Sequence, residues 1–244
     1  MPLARFLPTL LLLAAAAHGA DAGWIDLLAD GRTDAWRSAR NENFPARGWS
    51  LANGVLTVHQ AGGEESRGGG DIITRARYAN FELELEFRMT PGCNSGIKFF
   101  VQPNLSPIDR LTGKPTPIGS AIGPEFQILD DARHPDAKAG RDGNRTVGSL
   151  YDLIPAEAGK VVKPMGEWNQ ARIVAQGSHV EFWLNGRKTL EFDRHSAPYR
   201  QLVARSKYNI IPEFGAWPDG HILLQDHGDE VAFRNIRIRE LPAP

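Results

Sequence analysis

The chain has 244 residues, 41% of them hydrophobic and 23% charged, with a formal charge of -1. That balance gives no electrostatic reason to expect nucleic acid or an anionic membrane as partner, and suits a small neutral or polar ligand better. The sole cysteine, Cys93, has no mate for an internal disulfide, so the fold must rest on its hydrophobic core.

Residues 1–22 differ in character from the rest of the chain. Arg5 precedes an apolar run over 10–17, and small residues close on Ala20-Asp21-Ala22, the pattern of a secretory signal peptide cleaved near Ala20 or Ala22. The run is too short for a permanent membrane anchor, and no cysteine stands near the cleavage region to take a lipid. The expectation is a periplasmic or secreted protein in which residues 23–244 form one domain.

Beyond residue 22, apolar residues recur at every second position while 25 glycines and 17 prolines interrupt the chain. This predicts many short strands and few helices. Val55–Val58 follows an Asn53-Gly54 turn. In Phe81–Met89 the odd positions are apolar, whereas Glu82, Glu84, Glu86 and Arg88 share the other face. Further strands are predicted over 97–101, Glu125–Leu129, 172–175, 180–184, 189–192, 221–225 and 231–239. Asn185-Gly186 marks a hairpin. A two-residue loop sets Val180 across from Glu191; a three-residue loop with Gly186 as a bulge sets it across from Leu190 and is preferred for keeping the apolar sets together. In the last strand Val231 and Phe233 are out of phase with Ile236 and Ile238, predicting a bulge near Arg234-Asn235. The fold class expected is all-β, a two-sheet antiparallel sandwich or jelly roll.

Alternation also sorts the polar residues. Ile97, Phe99 and Val101 oppose Asn94, Gly96 and Lys98; Phe126 and Ile128 oppose Glu125 and Gln127; Leu224 and Asp226 oppose Gln225 and His227. Directed amide and imidazole groups beside a single carboxylate suit sugar hydroxyls, and Tyr151 or Trp217 can stack on a sugar ring. These strands are expected to line the concave side of one sheet, with the acidic loop after Leu129 closing over it. Within that loop Asp130, Asp131 and His134 join Glu125 as a candidate oxygen-rich site for Ca²⁺, Mg²⁺ or Mn²⁺. Asp226-His227-Gly228 also reads as a plain turn, and Trp49, Trp168 and Trp183 read as core. Glu82, Glu84 and Glu86 read as a half-exposed strand face, although their spacing is similar to that of family-16 glycoside hydrolases.

Nine segments in order carry a resemblance: W-x-L-A-N-G-V-L from Trp49, F-E-L-E-L-E-F-R from Phe81, P-G-C-N-S-G-I-K from Pro91, G-P-E-F-Q-I-L-D-D from Gly123, G-S-L-Y-D-L from Gly148, K-P-M-G-E-W-N from Lys163, W-L-N-G from Trp183, L-L-Q-D-H-G from Leu223 and F-R-N-I-R-I from Phe233. Together they resemble the 3-keto-disaccharide hydrolase domain family, with Cys93 where another small residue is usual. The resemblance implies a concanavalin-like jelly roll and cleavage of glycosides oxidised to a ketone at C3. The ketone acidifies the C2 proton, so a base can start an elimination that hydration completes. The roles are then His134 or His227 as base, Lys98, Gln127 or a divalent cation as oxyanion stabiliser, and Glu125 or Tyr151 as acid, with Asn94, Gln127, Gln225 and Trp217 binding substrate. The alternatives are a non-catalytic, laminin-G-like carbohydrate-binding module and an ordinary family-16-like hydrolase.

Overall fold

A computed structural model describes residues 23–107, 114–115 and 120–244. The expected leader over 1–22, and parts of the 103–124 loop, lie outside the described residues.

The strands form two antiparallel sheets. The larger runs in the order β11 (Arg187–Asp193), β10 (His179–Leu184), β9 (Trp168–Gln176), β6 (Phe81–Met89), β13 (Val231–Glu240), β4 (Val55–Val58) and β3 (Trp49–Ala52), and β1 (Ile25–Asp26) pairs with β13. The smaller runs β2 (Trp36–Ser38), β5 (Ile72–Thr74), β12 (His221–Leu224), β7 (Asn94–Val101) and β8 (Glu125–Leu129). This is the two-sheet, all-β jelly-roll sandwich expected. β1, β2, β3 and β5 were not anticipated, because two to four residues are too few to display a period of two. Nor was the helix α1 (Ala197–Arg205), although Ser196 caps it by accepting the Tyr199 N–H at 3.2 Å.

The pleat does most of the sorting. Phe81, Leu83, Leu85, Phe87 and Met89 of β6 all point inward, none more than 1% exposed. Aromatic rings bridge the sheets: Phe182 of β10 lies edge-on 5.7 Å from Phe99 of β7 and tilted 5.1 Å from Phe126 of β8. Phe81 and Phe87 add two more such contacts, at 6.3 and 6.4 Å.

The opposite face of β6 is an ion-pair lattice. Glu82 meets Arg172 and Arg239, Glu84 meets Arg237 at 2.8 Å, and Glu86 meets Arg234 at 2.6 Å. Arg88 and Arg234 stack on Trp168, and Arg172 stacks on Trp183. Trp49 is buried as expected, but the core assignment of Trp168 and Trp183 is corrected: they share the face of Arg88 and Arg172 and carry guanidinium groups. With every glutamate of the row matched to arginine, the strand-face reading of Glu82, Glu84 and Glu86 stands.

Three irregularities tune the registers. In β13, Arg234 faces Glu86 and Arg237 faces Glu84, so the expected bulge is present, with Asn235 at φ 52°. The β10–β11 hairpin corrects both registers weighed, since Val180 faces Phe192. Asn185-Gly186 is a two-residue turn with Leu184 opposite Arg187, and the extra residue is Thr189, whose hydroxyl donates to the Gly148 carbonyl at 3.1 Å. In β7, Phe100 adopts φ 50°, which turns Phe100 into the core and moves Val101 to the outward face beside Ile73 and Leu223. Val101 therefore does not share the side of Ile97 and Phe99.

Phe182→Ala should cost about 3–5 kcal/mol in urea unfolding with an unchanged m-value. A loss under about 1 kcal/mol would show that its rings do not hold the sheets together.

Candidate functional site

The outward face of the smaller sheet gathers side chains from β7, β8 and the segment after β12. Lys98 and Glu125 sit opposite each other in register, 6% and 5% exposed, with Nζ 3.8 Å from Oε2. Lys98 also donates to Ser120 Oγ at 2.5 Å and to the Ala121 carbonyl at 3.3 Å. Ser120 in turn donates to the buried carboxylate of Asp71, which accepts the Ala121 and Asp226 amides at 3.1 and 3.0 Å. Glu125 can lie flat because Gly96 is its neighbour: a Cβ there would overlap its carboxylate.

Beside this row, Gln127 meets the Asn94 amide at 3.2 Å, and with its amide turned its nitrogen lies 3.0 Å from Glu125 Oε1. Gln225 donates to Glu65 at 3.2 Å, while its own Oε1 is buried without a partner, as is Nδ1 of His227. A cleft of about 190 Å³ opens here, lined by Glu65, Lys98, Ser120, Lys207, Tyr208 and Ile211.

Loops deliver the rest. Asp226 accepts the amides of Gly69 and Gly70 at 2.8 Å and of Gly228 at 3.0 Å, and Gly228 has φ 79°. The turn reading of Asp226 and Gly228 is thus right, and it is the turn that holds His227 and Glu65 in place. On the other side α1 ends at Ser206, whose hydroxyl accepts the Tyr208 N–H at 3.1 Å and starts a short 3-10 turn, Lys207–Ile210. That turn brings Lys207 Nζ over the Tyr151 and Tyr208 rings at 4.3 and 5.3 Å.

Burial sets the protonation behaviour. It raises the pKa of Glu125 against the pull of Lys98 and Lys207, and raises that of Asp71 against Lys98 and the Ser120 hydroxyl. It lowers the pKa of Lys207; Glu125 opposes that shift and Lys98 reinforces it.

Several expected residues fall elsewhere. The Tyr151 hydroxyl donates to Asp136 at 2.8 Å, and burial and that carboxylate raise its pKa, so its proton is committed and the ring serves as a platform for Lys207. His134 lies 6.4 Å from His227, ring to ring, and its Nδ1 accepts the Asp136 N–H at 3.2 Å. A neutral His134 bonded this way carries its proton on Nε2 and has no lone pair left for base chemistry. Trp217 packs on Phe214 and lines a separate pocket with Arg37 and His221.

The metal set does not fit. Asp130 accepts from the Gly92 and Ala132 amides and from Arg133, Asp131 is paired with Lys160 and the Val147 amide, and Glu125 faces Lys98. Their lone pairs are spent on tying down loops and on two lysines, not turned to a common point. Among the described residues the one candidate cluster of His and carboxylates is His179, Glu181 and Glu191 at the surface, with Lys188 already bonded to both glutamates.

Sequence reasoning missed Asp71, Ser120, Glu65 and Lys207. Only Lys207 had a local signal, the two capping serines flanking α1. A larger cavity, about 500 Å³, lies on the outer face of the larger sheet around Trp24, Glu84, Gln170 and Arg237. Its Glu84, Glu86 and Arg237 are ion-paired, and none of the unpartnered buried polar atoms lines it.

The sequence profile of the 3-keto-alpha-glucoside-1,2-lyase-like domain matches residues 23–239. A 3-keto-disaccharide hydrolase of Bacteroides thetaiotaomicron is 36% identical over 236 residues, 90% of this chain and 79% of that protein. A crystal structure of a presumed glycosyl hydrolase from Parabacteroides distasonis superposes with TM-score 0.71 at 27% identity, covering 90% of this chain and 95% of the other. A second from the same organism gives 0.62 at 30% identity, covering 89% and 99%. A Bacillus subtilis protein of galectin-like fold, at 13% identity and TM-score 0.50, shares the fold alone over 91% and 96%. Matched over nearly all of its described length, the chain belongs to the 3-keto-alpha-glucoside-1,2-lyase-like domain family.

Proposed function

We propose that this chain cleaves 3-keto-glycosides by elimination across C1–C2 followed by hydration, at the outward face of the smaller sheet. The observation that carries the reading is a buried Lys98–Glu125 pair beside two unpartnered polar atoms, Gln225 Oε1 and His227 Nδ1, in a member of this family. Orphaned buried groups of this kind are what sugar hydroxyls would satisfy.

In this reaction His227 removes the proton from C2, and the electron pair passes into the C3 carbonyl beside the two lysines. The glycosidic oxygen leaves C1 with a proton from Glu125, whose raised pKa favours the acid form. Water then adds across the new C1–C2 double bond and yields the free 3-keto sugar. Asn94, Gln127 and Gln225 would hold hydroxyl groups. The leader expected over residues 1–22 adds the proposal that the reaction takes place in the periplasm or medium. Amino-terminal sequencing of protein made from the full chain in a bacterial host should begin at Asp21 or Gly23; an intact Met1 would count against export.

The purified protein should release aglycone from a 3-keto-glucoside and leave the unoxidised glucoside intact. Cleavage of the unoxidised sugar would favour an ordinary hydrolase, and binding without turnover of either would favour a carbohydrate-binding module. Glu125→Gln should lower kcat/KM roughly 10²–10⁴-fold. Because Glu125 acts protonated and its pKa is raised, wild-type activity should fall as pH rises through that value, and this alkaline limb should vanish in the glutamine variant. Gly96→Ala, which pushes the carboxylate off the sheet, should cost about 100-fold in turnover with the sandwich still folded by circular dichroism. Full activity in that variant would remove Glu125 from the mechanism.

A further inference from the structure

The two lysines of the cleft are held in different ways. Lys98 is surrounded by acceptors: Ser120 Oγ, the Ala121 carbonyl and the Glu125 carboxylate. Two of its hydrogen bonds go to the protein, and its nitrogen is thereby held in one place. The Lys207 side chain makes no hydrogen bond or ion pair among the described residues. Its nitrogen rests on the faces of Tyr151 and Tyr208, lines the same cleft as Lys98, and has the second cation and Glu125 for electrostatic neighbours.

An amine that rests on aromatic faces, has no protein acceptor and shares a cleft with a second lysine can, in its neutral form, add to a carbonyl. The proposed substrate brings a ketone into this cleft. We propose that Lys207 is a covalent catalyst, its amine condensing with the C3 carbonyl of the 3-keto-glycoside to form an iminium that serves as the electron sink for the elimination. The proposal rests on the reading of the chain as a 3-keto-glycoside-cleaving enzyme and adds the identity of the group that receives the electrons.

The neutral amine adds to C3 and gives a carbinolamine, which takes back the proton the lysine ammonium gave up to solvent and loses one water to leave a protonated imine; that proton is released again when the iminium is hydrolysed. Removal of the C2 proton by His227 passes the C–H electron pair into the C2–C3 bond as an enamine. The enamine expels the C1 substituent, which takes its proton from Glu125, and regenerates a conjugated iminium. One water adds at C1, with a proton returning to C2, and a second hydrolyses the iminium to release the ketone and the free lysine. No oxidant or reductant is consumed. The aromatic faces under Lys207 suit the step, since the iminium is itself a cation and keeps the contact that the ammonium had.

The test is reductive trapping. Wild-type protein incubated with a 3-keto-glucoside and sodium cyanoborohydride should gain a single covalent adduct by intact mass, and peptide mapping should place it on Lys207. Lys207→Arg keeps the cation and the backbone bond from residue 207 to Asp152, so the fold is retained. That variant should form no adduct and lose roughly 100-fold or more in turnover. Turnover by the wild type with no adduct, an adduct mapped to Lys98, or an arginine variant of near wild-type rate would each overturn the covalent role while leaving the reaction in place. Failure of the wild type to process the keto-glycoside at all would overturn the reaction itself.

Discussion

A carboxylate taken out of water must be given donors or a counter-charge, and Asp71 is where this requirement organises the molecule. It accepts from Ser120, from the Ala121 amide and from the Asp226 amide, and faces Lys98 through Ser120. One side chain just before β5 thereby ties the segment at 120–121, the turn after β12 and the middle of β7. Lys98 then sits between this network and Glu125, so the placement of one buried charge fixes the next. The Lys98–Glu125 row is a consequence of satisfying Asp71.

Asp226 repeats the device one turn away. Its carboxylate collects three backbone amides from two loops, and the strain of a positive φ falls on Gly228, which bears it without cost. The segment carrying Glu65 is thus drawn toward Gln225, and His227 is presented with its Nδ1 buried and unsatisfied. Groups proposed to act on substrate stand on strands or on turns clamped by carboxylates, which is how a site avoids reorganising during the reaction.

The two outward faces make the contrast plain. Both arise from the same alternation of apolar and polar residues. On the larger sheet each glutamate of β6 meets an arginine from a neighbouring strand, and tryptophans fill the spaces beneath the guanidinium groups. Charge there is neutralised pair by pair. Beside the smaller sheet the Lys207 ammonium, in the cleft, and His227 Nδ1 have no hydrogen-bond partner among the described residues. The proposed reaction is placed where pairing is incomplete and not where charges are most numerous.

Strand periodicity by itself determined most of the architecture. The alternation in β6, the Asn53-Gly54 turn and the phase slip in β13 could be read directly, because a pleat converts sequence parity into a face and each is a local property. The convergence of Lys98, Glu125, Gln127 and Gln225 was legible for the same reason. Parity failed at Phe100, where a left-handed residue reverses the face, and at Thr189, where the bulge sits away from the turn that suggested it. Only the tertiary structure could decide that Asp130 and Asp131 serve loops and not a metal, that Tyr151 spends its proton on Asp136, and that Asp71 and Lys207 belong to the cleft. Those outcomes depend on which donor meets which acceptor across dozens of residues, and hydrogen-bond partnership at that range leaves no period in the chain.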